Sequence, residues 1–177
     1  MARPRILGGT AKGRELETPR RGTRPSPSRL REALFDILAF DERGHFLDLY
    51  AGSGAIGLEA ASRGWQAVCV DRSRAAVRVI ESNAARLGLT VEVVAGDAIA
   101  AAEARPAAVD VLFAAPPYPL DLPPLFARLL ASGAVRPGGR YVFQHPTSLT
   151  LALERSHARV DADVRRYGSN ALTLVRA

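Results

Sequence analysis

The sequence of 177 residues has one cysteine, one methionine, one tryptophan and three histidines, and aromatic residues make up only 6%. A single thiol excludes an internal disulfide. Cys69 lies in the apolar run Ala67-Val68-Cys69-Val70 and reads as a buried core residue of a protein in a reducing compartment. His45, His145 and His157 stand apart without ligand-like spacing, so no metal site is expected. Neither a Ser-His-Asp nor a Cys-His arrangement can be assembled. No stretch approaches the roughly 18 apolar residues of a membrane span, and the beginning of the chain has no secretory apolar core. A cytoplasmic, monomeric protein without a membrane partner is expected.

Acidic residues are scarce in one region only. Residues 1–31 contain Arg3, Arg5, Lys12, Arg14, Arg20, Arg21, Arg24, Arg29 and Arg31 against Glu15 and Glu17, a net of +7. The whole chain is +6, so the remaining residues sum to −1. A basic segment beside a nearly neutral body reads as a phosphate-backbone footprint. Hydrophobic residues at 47% and charged residues at 24% describe an ordinary globular composition.

Residues 3–18 alternate weakly around the turn signals Gly8-Gly9 and Lys12-Gly13 and predict a short β-hairpin with basic side chains toward solvent. A linker follows, so the chain divides into a basic extension over 1–25 and a main domain over 26–177. Ser26 is placed to cap a helix with Pro27 at its first position. Leu30, Ala33, Leu34, Ile37 and Leu38 form the buried stripe of that helix, with Arg29 and Arg31 facing outward.

From His45 onward strand and helix patterns alternate, over about 46–50, 55–63, 66–71, 73–87, 91–95, 98–104, 109–114, 122–132 and 140–145. Such alternation specifies a mostly parallel sheet with helices on both faces. The last segments, 157–167 and 170–176, join around Gly168-Ser169-Asn170 and predict an antiparallel hairpin at the sheet edge.

The first strand ends in Asp48 and runs into Leu49-Tyr50-Ala51-Gly52-Ser53-Gly54-Ala55-Ile56-Gly57. Gly52 and Gly54 permit a tight turn near a ligand, and Gly57 permits close packing of helix on strand. Asp71 lies 19 residues beyond Gly52, near the roughly 20-residue offset at which an acid reaches a ribose hydroxyl. Asp97, after the third strand, is placed either to accept from an adenine amino group or to cap the next helix. The lining of a nucleotide site is thus expected from Asp48, Ala51, Gly52, Ser53, Gly54, Gly57, Asp71, Arg72, Asp97 and Ala98. Dinucleotides and S-adenosylmethionine both use this pattern.

A second motif separates them. Val109-Asp110-Val111-Leu112-Phe113-Ala114 reads as a buried strand leading into Ala115-Pro116-Pro117-Tyr118. A Pro-Pro-aromatic step there is the mark of methyltransferases acting on an exocyclic or amide nitrogen. Proline has no N–H, which leaves backbone carbonyls free to accept from an amino group. The aromatic that follows can stack on a base turned out of its helix. Ala115, Pro116, Pro117 and Tyr118 are therefore the candidate catalytic residues.

With these residues in view, the chain resembles the bacterial 16S ribosomal RNA guanine-N2 methyltransferase family, whose members modify guanine 966. The resemblance runs through Arg5-Ile6-Leu7-Gly8-Gly9, Lys12-Gly13-Arg14, Arg24-Pro25-Ser26, Arg29 to Phe35, Phe46 to Ala60, Asp71, Asp97, Pro116-Pro117-Tyr118 and Tyr167-Gly168. It implies a Rossmann-like class I methyltransferase fold, with a seven-stranded, mostly parallel α/β sheet closed by an antiparallel hairpin. It also implies S-adenosylmethionine as cofactor and 16S ribosomal RNA or the small ribosomal subunit as partner. Arg3, Arg5, Lys12, Arg14, Arg24, Arg29 and Arg31 would contact the RNA. The chain departs from the family at Ala115, where relatives usually have an aspartate, and at Gln144, where they often have an acid. The first departure raises an alternative, an RNA-binding or ribosome-assembly protein that keeps the cofactor pocket with weakened catalysis. Asp121 is a candidate substitute carboxylate.

Overall fold

A computed structural model describes residues 3–21, 26–155 and 158–177. Arg24, Pro25 and His157 lie outside the described residues. In chain order the elements are α1 (Ser28–Ile37), β1 (His45–Leu49), α2 (Ala55–Ser62), β2 (Gln66–Asp71), α3 (Arg74–Leu87), β3 (Glu92–Ala95), α4 (Ala98–Glu103), β4 (Val109–Ala114), α5 (Leu122–Ala131), β5 (Val135–Pro146), β6 (Glu154–Arg155), β7 (Ala158–Arg159), β8 (Ala162–Tyr167) and β9 (Asn170–Arg176).

Seven strands form one sheet in the order β3-β2-β1-β4-β5-β9-β8. The first five run parallel, and β9 pairs antiparallel with both β5 and β8. The expected α/β class and its closing hairpin are present. Central strands β1 and β4 are buried on both faces, as helix-covered parallel strands must be. Leu47, Leu49, Leu112 and Ala114 meet α4 and α5 on one side, and Phe46, Val111 and Phe113 meet α1 and α2 on the other. α3 starts where Ser73 accepts the Ala76 N–H and stops at Gly88, left-handed at φ 67°.

Four expectations need correction. Helix α1 begins at Ser28, and Ser26 makes no cap; its hydroxyl donates to Gln144 Oε1 at 3.1 Å. The buried stripe of α1 is Leu30, Arg31, Leu34, Phe35 and Leu38, with Ala33 and Ile37 only half-buried. The helix is turned because Phe35 stacks on Phe46, ring centroids 6.0 Å apart, while the Arg63 guanidinium sits 5.0 Å from the centre of the Phe35 ring. β5 starts at Val135 rather than near 140, since Gly138, at φ 85°, carries the strand through a bulge that Pro137 and two glycines disguise. The segment expected as one strand over 157–167 is divided, Ala162–Tyr167 forming β8 of the main sheet and Ala158–Arg159 forming β7, which pairs with β6 in a separate two-stranded ribbon.

The basic N-terminal segment folds back on itself as a short hairpin, with Arg5 bridged to Glu15, the Ile6 N–H donating to the Arg14 carbonyl at 3.0 Å and the Leu16 N–H to the Pro4 carbonyl at 2.8 Å. Ile6, Ala11 and Leu16 are buried against Ala55 and Leu58 of α2 and Ala84 and Leu87 of α3. Its exposed charges are basic apart from Glu17, but its other face is core.

Candidate active site

Strand order reverses between β1 and β4. In open parallel sheets, ligands occupy the crevice outside the carboxyl ends of the strands at such a point. The loops leaving these two strands hold both motifs seen in the sequence.

After Leu49 the chain turns through three left-handed residues, Tyr50 at φ 60°, Gly52 at 59° and Gly54 at 81°. The Gly52 N–H donates to Asp71 Oδ2 at 2.9 Å, and the Ser73 N–H donates to Asp71 Oδ1 at 2.8 Å. Two backbone donors thereby fix the orientation of the carboxylate. Gly57 admits no side chain: a Cβ there would lie 2.3 Å from Cys69 Sγ. Asp97 accepts the Ala100 N–H through Oδ1 at 2.9 Å and so caps α4. Its second oxygen makes no hydrogen bond among the described residues. Ser53 and Ala98 are buried, and Arg72 is exposed.

Tyr50 escaped the sequence reading. Its ring is half-buried, and burial raises its phenol above the ordinary value, with Asp97 adding to this and Arg72 opposing it. A non-glycine residue at positive φ costs energy and has no sequence signature. The donor set fits a nucleoside. The carboxylates of Asp71 and Asp97 stand at adjacent strand ends, joined by the Gly96 N–H donating to the Asp71 carbonyl at 3.0 Å. They offer acceptors for hydroxyls and an amine, beside an aromatic ring.

Asp48 is wholly buried under α2, where its Oδ2 accepts the Gly57 N–H at 2.8 Å. Burial pushes its carboxyl up to about 8, the Gly57 hydrogen bond opposing and Asp71 adding to the rise. Asp48 therefore supports the corner as a neutral acid. An unfolded carboxyl titrates near 3.8, so above that pH the unfolded chain sheds a proton that the folded chain keeps. This contribution is complete below the unfolded value and is lost as pH rises through the folded one, at about 1.4 kcal/mol per pH unit in between. Asp48→Asn, which keeps an acceptor for Gly57, is expected to flatten the fall in stability across that window. Parallel urea-denaturation curves for the two proteins at each pH would contradict it.

At the end of β4 the geometry follows from chemistry. Pro116 and Pro117 contribute no N–H, and the Ala115 N–H makes only a long contact, 3.5 Å, with the Leu49 carbonyl. The carbonyls of Ala115 and Pro116 accept no hydrogen bond among the described residues, whereas that of Pro117 accepts from the Leu120 N–H at 3.1 Å. Pro116 is buried, Ala115 half-buried, and Tyr118 is 41% exposed. The Tyr118 hydroxyl donates to Asn170 Oδ1, tying this loop to the turn between β8 and β9. Asn170 read only as a turn residue in the sequence. Asp121 is exposed immediately before α5 and caps no helix N–H. Gln144 is buried. Beside it, His145 donates from Nδ1 to the Pro146 carbonyl at 2.9 Å and accepts the Thr173 hydroxyl at 2.7 Å, its pKa lowered by burial.

Of the expected RNA contacts, Arg3, Lys12, Arg14 and Arg29 are exposed, and Arg5 is exposed but paired with Glu15. Arg31 is a correction. It is 1% exposed, with Nη1 donating to the Arg5 carbonyl at 2.9 Å and lying 3.5 Å from Glu59 Oε2. A guanidinium so placed cannot reach a phosphate. Glu59 was also missed. Fully buried on α2, it accepts the Leu7 and Gly8 N–H groups at 2.8 and 2.9 Å and pairs with Arg63 at 2.8 Å.

The family described as Conserved hypothetical protein 95 matches residues 4–176. The chain belongs to that family. Ribosomal RNA small subunit methyltransferase D of Escherichia coli K12 is 36% identical over 118 residues, 64% of this chain and 60% of that protein. A Bacillus subtilis relative is likewise 36% identical, over 64% of this chain and 66% of its own length. The chain thus spans just under two thirds of these curated relatives. A hypothetical protein of Thermus thermophilus superposes with a TM-score of 0.88 at 50% identity, covering 98% of this chain and 99% of that one. A 16S rRNA N2 G1207 methyltransferase of the same organism, solved in complex with AdoMet and guanosine, superposes at 0.75 with 21% identity, covering 99% of this chain and 49% of that one. At that identity the likeness is one of fold, and the fold is that of Rossmann-like methyltransferases. Among the described residues no helix is long and apolar enough to cross a membrane.

Proposed function

We propose that this member of the family transfers a methyl group from S-adenosylmethionine to the exocyclic N2 of a guanine in the 16S ribosomal RNA of the small subunit, at a site of the guanine 966 type. It would do so where ribosomal subunits are assembled, in the cytoplasm. The observation that carries the reading is the pair of uncommitted carbonyls, Ala115 and Pro116, at the carboxyl end of β4 and beside the reversal of strand order. The naming of the Escherichia coli relative and the guanosine and AdoMet bound by the fold neighbour support it.

When bound, S-adenosylmethionine supplies an electrophilic methyl carbon on a sulfonium. Asp71 would receive the ribose hydroxyls and Asp97 the adenine amine. The flipped guanine would stack on Tyr118, whose ring is held by Asn170. An amino group conjugated to a purine ring is a poor nucleophile in plane. Holding both of its hydrogens on the Ala115 and Pro116 carbonyls directs its lone pair toward the electrophile. The amine becomes strongly acidic only once alkylated and then sheds its proton to solvent, so alignment matters more than a general base. A second reading, a ribosomal RNA-binding protein with weakened catalysis, is favoured by one observation: no carboxylate stands at Ala115, and Asp121 lies six residues on.

Small subunits from cells lacking this protein, incubated with it and tritium-labelled cofactor, should take up label at one guanine, recovered as the N2-methyl nucleoside. Absence of label from the RNA would remove the catalytic reading.

A further inference from the structure

With Arg31 buried, the basic surface must continue elsewhere, and α3 supplies the continuation. A groove of about 450 Å³ opens between residues 17–20 and the outer face of α3, within the size range of small-ligand sites. Arg20 lies on one wall and Arg78 on the other, with Thr18 and Ser82 contributing hydroxyls. Arg74 stands one helical turn before Arg78. Arg20, Arg74 and Arg78 are exposed, and among the described residues none makes a side-chain hydrogen bond or ion pair. The acids nearby are Glu17, on the lining, and Glu81, three residues beyond Arg78 on the same helix.

Beneath the groove is Asn83, fully buried. Its Oδ1 accepts the Glu17 N–H at 2.9 Å and the Arg86 guanidinium at 2.8 Å, and its Nδ2 donates to the carbonyls of Glu17 at 2.9 Å and Ser53 at 3.2 Å. All four hydrogen-bonding positions of the amide are used. One buried side chain thus joins a wall of the groove to the glycine corner that faces the cofactor crevice.

We propose that this groove binds a phosphodiester of the RNA substrate between Arg20 and Arg78. The inference rests on the RNA reading given above and extends it from Arg20, within the N-terminal charge pattern, to α3, which that pattern did not include. RNA is the occupant that the surroundings favour. The groove is open to solvent, it continues the basic segment that begins at Arg3, and it is braced to the corner where a flipped base would meet the methyl donor. Arginine suits the task because its planar fork matches phosphate oxygens.

The test measures binding of a fluorescein-labelled stem-loop RNA by anisotropy across a salt series, for the wild-type protein and for Arg20→Ala with Arg78→Ala. Arg128→Ala, on α5, serves as a control. Each lost phosphate contact should reduce the slope of log affinity against log salt by about 0.7–0.9, and because the two arginines share one phosphodiester, the double variant should lose one such step. Its affinity for adenosylhomocysteine, read by calorimetry, should not change, and the control should keep the wild-type slope. Wild-type protein that fails to bind the RNA at all would sink the RNA reading together with this site. RNA binding with an undiminished slope in the double variant would overturn the groove alone. So would a variant that loses inorganic phosphate yet keeps the RNA slope, since that result assigns the groove to a free anion.

Discussion

Glu59→Ala is expected to lower unfolding free energy by about 3–5 kcal/mol, the cost of removing one partner of a buried ion pair. Glu59 is the acid that compensates Arg31, and both side chains are almost wholly excluded from water. Burial already pulls the Arg31 guanidinium below its ordinary pKa, and Glu59 is the favourable influence that opposes it. Two backbone donors, Leu7 and Gly8, would lose their acceptor in the same step. The N-terminal segment should loosen as well as the core, so limited proteolysis should cut within residues 3–16 before the rest of the chain. Adding Arg31→Met to Glu59→Ala should restore a substantial part of the loss, because no buried charge is then left unpaired. Equilibrium urea unfolding measures both. A loss under about 1 kcal/mol for Glu59→Ala, or no recovery in the double variant, would show that the pair is not what holds this segment down.

Ala115→Asp is expected to raise the single-turnover rate of methyl transfer by roughly ten- to a hundredfold. A charge-assisted hydrogen bond contributes about 1.5–3 kcal/mol, and if made only as the amine pyramidalises it lowers the barrier by that amount. The position is half-buried at the mouth of the crevice, so the new carboxylate can stay solvated and little stability should be lost. The gain should fall on the rate at saturating RNA rather than on the RNA concentration needed for half saturation. Equal rates for the two proteins would mean that the Ala115 and Pro116 carbonyls suffice. Absence of transfer by either protein would favour the second reading, in which RNA is bound without turnover.

Much of the geometry of the glycine corner was legible because its demands are local. Gly57 illustrates this. The helix after the turn can approach β2 only where no Cβ intervenes, and that requirement appears in the sequence as a glycine at a set offset from Gly52. Asp71 and Asp97 were legible for a similar reason, each ending an apolar run and preceding a helical pattern. The double proline was readable through its missing donors, and the carbonyls of Ala115 and Pro116 are indeed uncommitted among the described residues. Asp97 was left open between two roles, and the structure shows that the cap occupies only one of its oxygens.

Arg31 was misread for a physical reason. On an amphipathic helix a residue beside the apolar stripe can face solvent or core according to a small rotation about the axis. Here Phe35, stacked on Phe46, decides that rotation. It delivers Arg31 to Glu59, 28 residues away, and nothing in the periodicity of α1 anticipates the partner. Asn83 and Asn170 were overlooked because their partners too are distant in the sequence. Asn83 binds Glu17, 66 residues away, and Asn170 binds Tyr118, 52 residues away.

By itself the sequence determined the alternation of strands and helices, the sheet class, and the position of the two motifs at strand ends, because backbone sterics and side-chain periodicity act over a few residues. Only the tertiary structure decided which charges are spent inside the protein and which remain for a ligand. That choice depends on which helix faces come together, and desolvation makes the answer different for Arg31, matched to a buried acid, and Arg78, left at the rim of a groove.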